Sequence, residues 1–125
     1  MNEDNILVSV KASLGLPANY APFDSEIIMH INTVLGIVNQ LGIGVDGYEI
    51  DDEHPGSWDD FLAGEITSGI SMNEVKTYVV KRVQMLFDPP TSGILMDAMK
   101  ENLRELEWRI YVKRETPPVP VEETR

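Results

Sequence analysis

Apolar residues recur with the period of an α-helix in four stretches of this chain. Ile6, Leu7, Val10 and Leu14 fall three and four positions apart, which predicts a first helix over about residues 4–14. Gly15 then fits a left-handed stop, and Pro17 follows it. Ile27, Ile31, Val34, Leu35, Val38 and Leu41 form one stripe, predicting a second helix with Asp24 as N-cap, Glu26 in its first turn and Gly42 as its stop. Ser71-Met72-Asn73-Glu74 reads as a capping box. The helix it opens has the stripe Met72, Val75, Val79, Val83 and Leu86, flanked by Tyr78 and Phe87, and ends at Asp88-Pro89-Pro90, because proline cannot continue the backbone hydrogen bonds. A last helix runs from about Ser92 to Arg114 with Leu95, Met99, Leu103, Leu106 and Ile110 on its core side. Residues 42–70 are the least regular. Within them Ser57-Trp58-Asp59-Asp60-Phe61-Leu62 reads as one or two helical turns, the Ser57 hydroxyl accepting from the Asp60 amide and Trp58, Phe61 and Leu62 anchoring the segment to the body. The pattern predicts an all-α fold: a small bundle of four to five helices with an acidic irregular loop and a disordered C-terminal tail. Residues 1–114 form the helical domain and 115–125 a Pro/Val-rich flexible tail.

The polar positions add two oddities. The second helix completes its surface with Asn32, Thr33, Asn39 and Gln40, all uncharged. No formally charged residue occurs from Ile27 to Val45, a stretch of transmembrane length, but His30, Asn32, Asn39, Gln40 and three glycines make it too polar to span a bilayer. A solvent-facing helix in so charged a chain normally carries acids, so this helix is expected at the centre of the fold or at a subunit contact. Gly36, which costs about 1 kcal/mol in a helix interior, then suggests a close backbone approach. The last helix is apolar on two sides, since Trp108, Tyr111 and Val112 lie opposite Leu106 and Ile110. Either another chain covers this second patch, or the first helix or the Trp58 segment does. With Arg109, Lys113, Arg114 and the tail residues Val119 and Val121, it makes the candidate interface. The prolines of the tail favour extended polyproline geometry, so it is either an inert terminus or a segment that docks in a groove or on a sheet edge.

At 125 residues and 14.0 kDa the chain is long enough for one domain with its own core. The absence of cysteine excludes disulfides, thiolate metal sites and cysteine nucleophiles. A net charge of -11 argues against binding to a phosphate backbone. Residues 1–70 hold 12 acids and one base, Lys11, whereas residues 71–125 hold 9 of each. That asymmetry suggests surfaces meant for different partners, or simply acids that keep a small protein soluble. Seven acids and no base lie between positions 46 and 60: Asp46, Glu49, Asp51, Asp52, Glu53, Asp59 and Asp60. They lack the spacing of an EF-hand loop, and a solvated acidic loop is the expectation, with no metal site. Gly42-Ile43-Gly44-Val45-Asp46-Gly47 matches a dinucleotide-binding string, but a helix precedes it and an acidic loop follows, where a strand and then a helix are required. His30 and His54 belong to no catalytic motif, and no carboxylate pair implies separated pKa values. No catalytic residue and no cofactor is expected. Met1-Asn2-Glu3-Asp4 is acidic where a signal peptide is basic, so the expectation is a soluble protein made in a cytoplasm.

The segment Glu74-Val75-Lys76-Thr77-Tyr78-Val79-Val80-Lys81-Arg82-Val83-Gln84-Met85-Leu86-Phe87-Asp88-Pro89-Pro90 resembles the signature of small head-tail connector proteins of tailed phages and prophages. So do Leu103 through Glu105-Leu106-Glu107-Trp108-Arg109 and the earlier run from Phe23 to Asn32. The resemblance covers about residues 4–114. It implies an all-α, non-enzymatic virion protein at the head-tail junction, made in the bacterial host cytoplasm. Its partners would be the portal protein, engaged by the carboxy-terminal region, further copies of itself in a ring, and neck or tail completion proteins. DNA would pass through without specific binding, and no membrane is involved. An acidic channel wall would let DNA slide rather than stick. The competing expectation is an acidic regulatory or DNA-mimicking module that binds a single protein partner.

Overall fold

The computed structural model describes residues 5–62 and 72–115, leaving out the side chains at 72 and 113–115. Five helices appear among the described residues: α1 (Ile6–Ser13), α2 (Asp24–Gln40), α3 (Trp58–Leu62), α4 (Met72–Phe87) and α5 (Gly93–Glu115). The expected capping serine, Ser71, and most of the tail lie outside the described residues, while Glu115 still belongs to α5.

Local chemistry sets the ends of these helices. Asn5 caps α1, its side-chain oxygen accepting from the Val8 amide at 2.9 Å. Both α1 and α2 stop in the same way. After α1, the Gly15 amide donates to the Ala12 carbonyl (3.1 Å) and the Leu16 amide to the Lys11 carbonyl (2.9 Å). After α2, the Gly42 amide donates to the Asn39 carbonyl (2.8 Å) and the Ile43 amide to the Val38 carbonyl (3.2 Å). These are paired Schellman bonds, and they need the positive φ that Gly15 and Gly42 adopt, 81° and 91°. Asp24 is not a cap. It is the first residue of α2, behind Phe23, and its carboxylate reaches back to Lys11 Nζ at 2.8 Å. Lys11 also donates to the Ala18 carbonyl at 3.0 Å and is only 1 % exposed. A buried ammonium needs such partners, and here they tie α1 to the start of α2. Ser92 precedes α5 and caps it, its hydroxyl accepting from the Leu95 amide at 3.3 Å.

The core runs along α4. This helix, and not α2, is the hub, packing against α1, α2, α3 and α5. Val75, Tyr78, Val79 and Val83 are its buried positions, meeting Ile27, Ile31, Val34, Leu35 and Val38 of α2 on one flank and Leu103, Leu106 and Ile110 of α5 on the other. Trp58, Phe61 and Leu62 are all buried, as their anchoring role requires. The Trp58 ring lies beneath Lys76 Nζ, 5.9 Å from its centroid, and its indole N–H donates to the Ser9 hydroxyl at 3.2 Å. Ser57 caps α3 as expected, accepting from the Asp60 amide at 3.0 Å.

The uncharged flank of α2 has an internal purpose. Asn32 exchanges two hydrogen bonds with the backbone of Ile50, 3.1 and 2.8 Å. Asn39 donates to the carbonyls of Ile43 and Val45 and accepts from the Gly47 amide. Two amide side chains thus strap the 43–50 loop to the helix. Gly44 slides beneath the Phe61 ring with φ 85°, where no side chain fits. Gly36 departs from expectation: a Cβ there would meet nothing within 4 Å, so no backbone of this chain approaches it.

Candidate functional site

Two surfaces carry the expected functional residues. The first is the acidic loop. Asp46, Glu49, Asp52, Glu53, Asp59 and Asp60 are exposed. Asp51 is exposed too, but its carboxylate closes a turn, accepting from the amides of His54 (2.7 Å) and Glu53 (2.9 Å). The His54 amide is the main influence holding its carboxyl below the ordinary aspartate value, with the imidazole 3.2 Å away adding to it. Among the described residues no three histidine or acidic side chains converge to hold a metal ion. Lys11, the one base of residues 1–70, is buried, so no lysine or arginine offsets the loop's charge on the surface of residues 5–62.

The second surface is the outer side of α5. This helix of 23 residues, about 35 Å long at 1.5 Å per residue, has its substantial packing on α4 alone. Trp108 is 64 % exposed and Tyr111 47 % exposed. Their rings stack on each other with centroids 6.1 Å apart and planes 29° from parallel. Neither α1 nor the Trp58 segment covers them. Val112 is half-buried. Arg109 is exposed and paired with Glu105 of its own helix at 3.2 Å. The side chains of Lys113 and Arg114, and all of Val119 and Val121, lie outside the described residues.

On the inner side, Glu107 locks α5 to α4. It accepts from the Tyr78 hydroxyl at 2.7 Å and lies 3.5 Å from Arg82. Burial, reinforced by this carboxylate, pushes the Tyr78 phenol well above its ordinary value, so it stays a donor. Beside this clamp a groove of about 320 Å³ runs between the helices, with Met85, Leu86 and Leu103 as its apolar wall and Arg82, Lys100 and Arg104 as its cations. Leu86 and Leu95, placed in core stripes by their spacing, are 45 % and 58 % exposed. They sit where α4 ends and α5 begins, past the reach of the other helices. Lys100 and Arg104 were not singled out by the sequence pattern. Yet they stand eight and four positions before Trp108, on the same helical face, which is a readable spacing.

The family model of phage connector proteins matches residues 6–117, a span that holds all five helices and both surfaces. The chain belongs to the phage connector family. No curated protein and no solved structure gives a match. Membership makes the connector a structural component of the phage head-tail junction, a class that is typically non-enzymatic. Among its described helices none is long and apolar enough to cross a membrane.

Proposed function

We propose that this connector assembles as a ring beneath the phage portal, completes the DNA-filled head and offers a docking surface to neck and tail proteins. The observation that carries the reading is the long helix α5, packed on one neighbour and ending in a bare stacked aromatic pair. Exposed aromatic patches of this kind mark protein–protein contacts. The carboxy-terminal region, with Arg109, Lys113, Arg114, Val119 and Val121, engages the portal. The acidic loop lines the path of the DNA or faces the next neck protein, and in either place its charge discourages phosphate binding. The role is structural, with no catalytic residue and no cofactor. The protein is made in the host cytoplasm and ends in the virion.

Co-sedimentation with purified portal rings of the same phage tests this. Stoichiometric capture of the full chain into a ring-sized particle is the expected result. Loss of capture by a 1–114 truncation assigns the portal contact to the tail. A folded, monomeric connector that is never captured overturns the portal-adaptor reading and favours an acidic module with a single partner.

A further inference from the structure

We propose that the α5 stripe running from the rim of the α4–α5 groove to the stacked aromatics on one copy docks on the outer face of α2, beside the acidic loop, on the next copy, so that the contact repeats head to tail. This rests on the ring reading above and names the two surfaces that meet.

The α2 face is the first half of the argument. Met29, Thr33, Gly36 and Gln40 lie opposite the buried stripe of α2, all are exposed, and none is charged. Met29 alone is 59 % exposed. The Thr33 hydroxyl donates to the Met29 carbonyl at 3.0 Å, so it brings no unpaired polar group to the face. Gly36 has no reason within the chain, since open space surrounds it and the helix would be firmer with alanine. A glycine there does provide a flat, shallow spot on which an aromatic ring can lie. The straps from Asn32 and Asn39 occupy the adjacent flank, so the loop leaves this face uncovered.

The α5 stripe is the second half. Lys100, Arg104, Trp108 and Tyr111 follow one another at intervals of four, four and three, which puts them on one side of the helix. Two cations are followed by two stacked aromatics. The complementary arrangement exists around α2: an uncharged centre, Glu26 exposed at one end, and Asp46 and the rest of the acidic loop beyond the other. The Arg104 pairing with Glu101 of its own helix is exposed, so it exchanges readily for another carboxylate. Buried aromatics with arginines at their edge are the anchors that dominate interface energetics. Helices α2 and α5 each pack on α4, so the two docking faces belong to different elements of the molecule. A contact between unlike faces is heterologous, and it closes into a ring when its rotation permits.

The test uses two substitutions and one cross-link. Gly36→Leu adds a side chain where the folded chain has room, so its melting temperature should stay level or rise. Trp108→Ala removes an exposed ring. Each should weaken capture on portal rings at least about tenfold, as loss of an interface anchor does. Because the connector has no cysteine, Gly36→Cys and Trp108→Cys chains can be mixed on portal rings and oxidised with copper–phenanthroline. A covalent dimer in the mixture, absent from either variant alone, supports the docking. Rings that form undiminished with both substitutions, and no dimer, overturn it while leaving the ring reading intact. Failure of the unsubstituted connector to assemble on portal rings at all overturns the ring reading, and the docking with it.

Discussion

At the residue scale the two tryptophans separate stability from assembly. Trp58 is buried, hydrogen-bonded to Ser9 and covered by Lys76, whereas Trp108 touches chiefly Tyr111 and solvent. Trp58→Ala should cost about 3–5 kcal/mol, the range for deleting a large core aromatic. Trp108→Ala should cost under about 1 kcal/mol, as surface substitutions do. Chemical denaturation of both variants checks the pair, and a reversed order would mean that α5 is covered within the monomer. Asp51 offers a second test. Its carboxyl is held low by the His54 amide, so the turn's contribution is present above the ordinary aspartate value near 3.8 and is lost as pH falls through the depressed folded value. An NMR titration should find Asp51 ionising below that ordinary value, and Asp51→Asn, which keeps an accepting oxygen, should preserve the turn while removing its pH dependence. The sequence could not announce this role, because Asp51 sits among other acids and only the turn geometry distinguishes it. The burial of Lys11 was hidden for a similar reason: its partner Asp24 is 13 positions away, and nothing in the spacing pairs them.

At the scale of elements, two glycines of α2 and its loop should respond in opposite senses. Gly36 lies in open helix interior, so Gly36→Ala should raise stability by about 0.5–1 kcal/mol through helix propensity and the lost freedom of the unfolded chain. Gly44 has positive φ, and a Cβ there would collide with the buried Phe61 ring, so Gly44→Ala should destabilise by about 2 kcal/mol or more. Thermal melts of the two variants provide the measurement: a fall for Gly36→Ala would overturn the first argument, and a level or raised melt for Gly44→Ala the second. The same region shows what a periodic pattern reveals. The buried stripe of α2, the Ser57 cap and the proline stop after α4 were all legible, because each depends on residues within one turn of each other. Periodicity says which residues share a face, but not how far a neighbour extends along it. Leu86 and Leu95 therefore join their stripes in sequence and stand in solvent in the fold. The uncharged positions of α2 were visibly unusual. Asn32 and Ile50 lie 18 residues apart, so the strap between them became visible only with the loop folded back.

At the scale of the whole molecule, charge is divided between regions of the fold. Among residues 5–62 the single lysine is buried, so that region presents no lysine or arginine to solvent, while the exposed Lys81, Lys100, Arg104 and Arg109 lie on α4 and α5. This division was already present in the sequence as halves of unlike net charge, and burial of Lys11 sharpens it. The proposed head-to-tail contact uses this division, bringing the α5 cations of one copy to the acidic side of the next. Counterion release makes any cationic site for duplex DNA tightest at low ionic strength. Fluorescence anisotropy with a labelled duplex should therefore detect no binding to the portal-bound connector even there. Substituting lysine for Asp52, Glu53, Asp59 and Asp60, none of which takes part in the core, should create binding that weakens steeply with salt. Because a cationic patch binds free duplex on either side of the ring, capture of the neck protein decides the side: a loop facing outward should lose that capture in the lysine variant, and a loop lining the channel should keep it. The two outcomes assign the acidic surface to opposite sides of the ring.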